Sequence, residues 1–133
     1  MAGSKSDYLE NKVLDHVLGG GDYARPASVF LALYTVAPTD AGGGTEVTGG
    51  DYARLEVANN DTNFPAAVAG VKTNGTQIVF AQATASWGTV IAVGVYDAIA
   101  GNLLYWADLD TPKAVAEDDI VVFDVDSLTF TEA

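Results

Sequence analysis

Carboxylates crowd the last third of the chain: Asp108 and Asp110, then Glu117, Asp118 and Asp119, then Asp124 and Asp126. At alternate positions of a strand, Asp124 and Asp126 point to one face, where two carboxylates could share a hard cation such as calcium. The spacing of a calcium loop is absent and a solvated outer face accounts for the same residues, so no metal is expected. A glycosidase also works through two carboxylates, but any acidic β protein offers such pairs. His16, the sole histidine, falls in mid-helix among solvent-type residues, and no cysteine or nucleophile elbow accompanies it. Trp87, Tyr105 and Trp106 could stack on sugar rings, although large aromatics in a small sandwich more often fill the core or an oligomer interface. These residues predict a protein that is not an enzyme and carries no cofactor.

The hexapeptide GGDYAR occurs at Gly20 to Arg25 and again at Gly49 to Arg54, and Arg25 and Arg54 are the two arginines of the chain. Each copy follows a glycine cluster and precedes a strand pattern. Glycine there permits an unusual turn, aspartate bonds locally to backbone, and Tyr-Ala-Arg leads into the strand. A Gly-rich phosphate cradle is excluded, because no Lys-Ser or Lys-Thr follows and no helix begins there. Beside that turn reading stands a recognition one, in which Tyr23, Arg25, Tyr52 and Arg54 form a paired surface for an acidic neighbour.

Net charge bounds the partners. Six basic against eighteen acidic residues give −12, which argues against nucleic acid and anionic membranes, since phosphate binding draws its affinity from Lys and Arg. No run approaches the ~18 apolar residues a membrane helix requires, and the opening MAGSKSDYLENK lacks the apolar core of a secretory signal. The reading is of a protein made in the cytoplasm and not processed. Without cysteine there is no disulfide frame and no Cys-ligated zinc. A length of 133 residues with 49% hydrophobic and 18% charged residues fits one folded domain.

The elements that must position these side chains follow from periodicity. SDYLENKVLDHVLGGG reads as a helix, with Ser6 as N-cap, Asp7 and Glu10 in the positive first turn and Gly19 as the stop. Leu9, Val13 and Val17 line one side, with Leu14 and Leu18 beside them, and a helix this short must dock on its own domain or on a neighbouring subunit. From Ser28 to Thr35 the period becomes two, as in a strand covered on both faces. PTDAGGGTEVTGG, Pro38 to Gly50, is too glycine-rich for a strand interior and reads as a reaching arm. Further strands are expected at Tyr52 to Ala58, Thr76 to Ala81, Thr89 to Tyr96, Leu103 to Asp108, Ile120 to Val125 and Leu128 to Thr131. Turn signals between them include Asn74-Gly75 and Ala100-Gly101-Asn102. The pattern describes an all-β antiparallel sandwich (residues 21–133) behind one short N-terminal helix or arm (residues 1–20).

Three stretches, SDYLENKVLDHVLGG, RPASVFLALYTVAPTD and QATASWGTVIAVGVYDAIAGNLLYWADL, together resemble a family of small tailed-bacteriophage virion proteins, and the similarity covers most of the chain. Members are often labelled tail fibre proteins, yet small size and high copy number suit a capsid cement or decoration protein. The resemblance implies a jelly-roll-like sandwich that oligomerises as a homo-dimer or homo-trimer on the capsid exterior. There it would bind the major capsid protein and hold the shell against internal DNA pressure. It implies no catalytic motif. Leu9, Val13, Val17, Tyr23, Arg25, Tyr52, Arg54 and Trp106 are the expected interface residues. The alternative is a tail-associated adhesin or carbohydrate-binding module using Trp87 and Trp106.

Overall fold

The computed structural model describes residues 4–132. In chain order the elements are β1 (Ser4–Lys5), α1 (Asp7–Val17), β2 (Ser28–Val36), β3 (Thr45–Glu46), β4 (Leu55–Ala58), β5 (Val71–Thr73), β6 (Ile78–Val79), β7 (Gly88–Tyr96), β8 (Leu103–Val115), β9 (Val122–Phe123) and β10 (Thr129–Thr131). One sheet runs β1-β8-β7-β2-β3, with β4 also on β2, and two ribbons pair β10 with β5 and β6 with β9. All pairings are antiparallel, and the molecule is an all-β sandwich with one short N-terminal helix. Met1 to Gly3, part of the expected arm, lie outside the described residues.

Strand alternation builds the core. Val29, Leu31 and Leu33 of β2 and Val93 and Val95 of β7 face Ile78, Phe80, Val121 and Leu128, which come from the ribbons and their flanks. The opposite face of the sheet carries Ala32, Tyr34 and Ala92, with Tyr96 packed against them. Gly94 lies on that face because nothing larger fits, a Cβ there meeting Tyr34 at 2.9 Å. Asn74, expected only as a turn residue, is wholly buried and clamps three backbones. Its amide donates to the carbonyls of Thr76 and Asp124 and its oxygen accepts from the Leu128 N–H, at 2.8–2.9 Å.

The helix forms where its cap and stop place it, and Ser6 does more than cap. Its hydroxyl accepts from the Leu9 N–H at 3.2 Å and donates to the Leu103 carbonyl, while its own N–H donates to the Leu104 carbonyl at 2.8 Å. The same residue therefore starts α1 and fastens it to β8.

The stretch Pro38 to Gly50 is not a free arm. Pro38 is fully buried, Val47 is in the core, Thr39 and Gly42 form a bridge, and Thr45–Glu46 adds a strand to β2. Its glycines permit left-handed turns, with φ of 97°, 80° and 75° at Gly42, Gly43 and Gly44, and those turns fold the segment back onto the sheet. β8 continues to Val115, past the expected end at Asp108, pairing with Gly88, Thr89 and Val90 of β7. Pro112 is tolerated there because β1 pairs with β8 only at Tyr105 and Trp106, leaving that stretch an edge.

Candidate functional site

The two GGDYAR copies are used differently, and each builds a distinct site. In the second, Gly49, Gly50 and Asp51 all take positive φ (76°, 56° and 61°), and the Tyr52 N–H closes the turn on the Gly49 carbonyl at 3.0 Å. Closure is therefore by backbone and not by the aspartate side chain. The turn carries Tyr52 inward, where its hydroxyl donates to Glu46 Oε2 at 2.6 Å and accepts from the Leu33 N–H at 3.0 Å. Arg54 grips the same carboxylate with two bonds of 2.9 and 3.0 Å, donates to the Ile99 carbonyl at 3.0 Å, and stacks 3.5 Å above the Tyr96 ring. Tyr96 in turn hydrogen-bonds Tyr34.

Electrostatics reinforce this clamp. Burial works to raise the Glu46 pKa, but the bonds from Arg54 and Tyr52 and the guanidinium charge outweigh it and hold the carboxyl below its usual range. Burial first, then the hydrogen bond to Glu46, pushes the Tyr52 phenol up. The clamp ties β3, β4 and the tip of the β7–β8 hairpin together, and its arginine side chain is only 18% exposed.

In the first copy only Gly19, just before it, has positive φ. The chain leaves the helix in an open course held by the Tyr23 N–H, which donates to His16 Nδ1 at 3.1 Å. Tyr23 and Arg25 then line a cavity of about 300 Å³ together with Leu9, Leu104, Phe64 and Phe130. Arg25 makes one long bond, to the Asn59 carbonyl at 3.4 Å, and Lys72 reaches the Phe64 carbonyl at 3.5 Å. Neither cation has a carboxylate partner among the described residues, whereas Glu132, also at the cavity, is paired with Lys5 and accepts from the Tyr105 hydroxyl. The Tyr23 hydroxyl is buried without a hydrogen-bond partner among the described residues, and burial raises its pKa, with Asp97 adding to the effect.

The expected interface residues therefore separate into groups. Leu9, Tyr23 and Arg25 meet in the groove, Tyr52 and Arg54 in the clamp, and Trp106 at neither. Leu9 is buried and docks the helix on its own domain; Val13 is half-buried, while Leu14, Val17 and Leu18 are 57%, 68% and 74% exposed. Trp106 is half-buried and donates to Asp40 Oδ1 at 2.8 Å; that bond, then one from Ser4, lowers the Asp40 pKa. Trp87 cannot stack on a sugar, being 4% exposed, edge-on to Tyr52 and bonded to the Gly50 carbonyl at 2.9 Å. Asp124 and Asp126 do not converge on a cation: one accepts from Gln77, the other from Thr73.

Sequence reasoning missed Glu46, Lys72, Phe130 and Glu132. A carboxylate two positions past a glycine run was the one local signal for Glu46; the others depend on β5 and β10 meeting from opposite parts of the chain.

Residues 4–131 match the family described as Podophage GP4 fiber I protein gp80. The chain belongs to that family. No curated protein matches it. Membership makes this a bacteriophage structural protein, in line with the resemblance read from its sequence. Within this gp80 family chain, the clamp accounts for one GGDYAR copy as architecture, and the other copy lines the groove.

Proposed function

We propose that the protein is a non-enzymatic subunit of the virion fibre apparatus, made in the host cytoplasm, that works by holding its place among other virion proteins. The observation that carries this reading is the match over 4–131 to a family described as a fibre protein. The use of its polar side chains supports it. Glu46, Arg54, Tyr52, Asn74, Trp87 and Trp106 all bind the chain's own strands and turns. That investment suits a load-bearing unit. The family description moves the preferred location from the outer capsid surface to a fibre, and the burial of Trp87 removes half of the aromatic pair that favoured glycan binding.

Copy number decides between locations. Quantitative mass spectrometry of purified virions against the major capsid protein is expected to count a handful of copies per fibre, with antibody labelling at the tail. Hundreds of copies in near-integer ratio to the shell subunit restore the capsid cement reading and its major capsid protein partner. Absence from the particle overturns both.

A further inference from the structure

We propose that the groove at Tyr23 and Arg25 receives helix α1 of a second copy of this chain, so that the subunits join through groove and helix. The proposal names the partner of the structural subunit described above and rests on that reading. The groove offers apolar walls and two cations without carboxylate partners among the described residues.

The complementary surface is on α1. Asp7, Glu10, Leu14 and Val17 recur at intervals of three and four, so they share one stripe, with Leu18 beside its end. That stripe is turned by about 120° from Leu9, which docks the helix on its own domain, and Val17 at its edge borders the Leu9 and Val13 side. Its first half is acidic and its second half apolar, and Leu14, Val17 and Leu18 are largely exposed. Asp7 and Glu10 complement the helix dipole, as first-turn acids do, yet neither is in an ion pair among the described residues. In a chain of net charge −12, self-association requires that local attraction overcome general repulsion. Arg25 and Lys72 supply the positive side and Asp7 and Glu10 the negative one, while Leu14 and Val17 supply the apolar surface to bury. A helix laid into an apolar groove is a recurrent recognition mode.

The purified full-length chain is examined by light scattering after size exclusion and by sedimentation equilibrium. Wild type is expected to associate, more weakly as salt rises. Leu14→Ser with Val17→Ser, and separately Arg25→Glu with Lys72→Glu, are each expected to give monomers with an unchanged circular dichroism spectrum. Mixing the two variants restores association, because one chain brings an intact groove and the other an intact helix stripe. A wild-type chain that stays monomeric to its solubility limit overturns the proposal, as does association that both variants retain or a mixture that stays monomeric. A monomeric chain that is nonetheless counted in the virion leaves the structural reading standing and removes only this interface.

Discussion

The copy at Gly49 to Arg54 and the copy at Gly20 to Arg25 spell the same six residues and end in opposite physical states. One has three consecutive left-handed residues, a tyrosine with both hydrogen-bonding roles filled, and an arginine engaged by a carboxylate, a carbonyl and a ring. The other has, among the described residues, no partner for its tyrosine hydroxyl and one long bond from its arginine. The hexapeptide is identical, so the cause lies in what the fold brings to it. β3 presents Glu46 to the second copy, and among the described residues no carboxylate pairs with Arg25 of the first. A motif's chemistry is settled by its third-dimension neighbours, which is why repetition in the sequence did not signal repetition of function.

The largest break in that asymmetry should come from removing Glu46. With side chains of Glu46 and Arg54 only 24% and 18% exposed, Glu46→Ala strands a half-buried guanidinium and frees the Tyr52 hydroxyl. Unfolding in urea is expected to show a loss of about 3 kcal/mol, while Arg25→Ala in the first copy stays within about 0.5 kcal/mol. A double-mutant cycle on Glu46 and Arg54 should return a coupling above about 1 kcal/mol. Equal effects at Glu46 and Arg25 would erase the distinction between clamp and groove.

Matched glycines give the next effect. A Cβ on Gly50 meets the Ala85 carbonyl and the Trp87 indole nitrogen at 2.8 Å, at a φ of 56° that side chains disfavour. At the corresponding Gly21 the nearest atom is Asp15 Cβ at 3.3 Å, and φ is not in the left-handed region. Gly50→Ala is expected to cost about 2 kcal/mol, and Gly21→Ala to lie within about 0.5 kcal/mol of wild type. Thermal melts of the pair check this directly.

Removing single hydroxyls reverses the sign between copies. Tyr52→Phe loses bonds to Glu46 and to the Leu33 N–H and should destabilise by about 1–2 kcal/mol. Tyr23→Phe removes a buried hydroxyl with no partner among the described residues and should be neutral or stabilise by up to about 1 kcal/mol. A loss on Tyr23→Phe would mean that the hydroxyl is satisfied in the folded chain.

Legibility in the sequence followed the range of the interactions. The cap at Ser6, the stop at Gly19 and the two long central strands were readable because each is written in consecutive residues: the expected Ser28 to Thr35 and Thr89 to Tyr96 fall within one residue of β2 and β7. Of the strands of two or three residues, β6, β9 and β10 fall inside the expected Thr76 to Ala81, Ile120 to Val125 and Leu128 to Thr131, whereas β1, β3 and β5 were not expected, since they exist only because β8, β2 and β10 offer open edges. The expected strand starting at Tyr52 begins at Leu55, because Tyr52 and Arg54 are drawn into the clamp. Leu9, Tyr23 and Arg25 were all nominated, yet their meeting in one groove depends on Phe130 and Lys72 arriving through the β5–β10 ribbon. Trp87 could be named as a large aromatic, but its burial follows from the left-handed turn at Gly50 that receives its indole.

The smallest expected effect is an acid dependence belonging to one copy alone. The Glu46 carboxyl is held below its usual range in the folded chain, so its contribution to stability is fully present above the unfolded value of about 4.3 and is lost as pH falls through the lower folded value. Glu46→Gln keeps the shape of the side chain, removes the titration and should flatten the acid limb of a stability-versus-pH curve below about pH 4. The limb does not vanish, because Asp40 is shifted in the same direction by its bonds from Trp106 and Ser4. Arg25→Ala should leave the limb unchanged, since Arg25 touches a carbonyl and no carboxylate. If Arg25→Ala flattened it as much as Glu46→Gln, an anionic partner would have to face the first copy already within the folded monomer. The groove would then be a second clamp, with no cation left over for another chain.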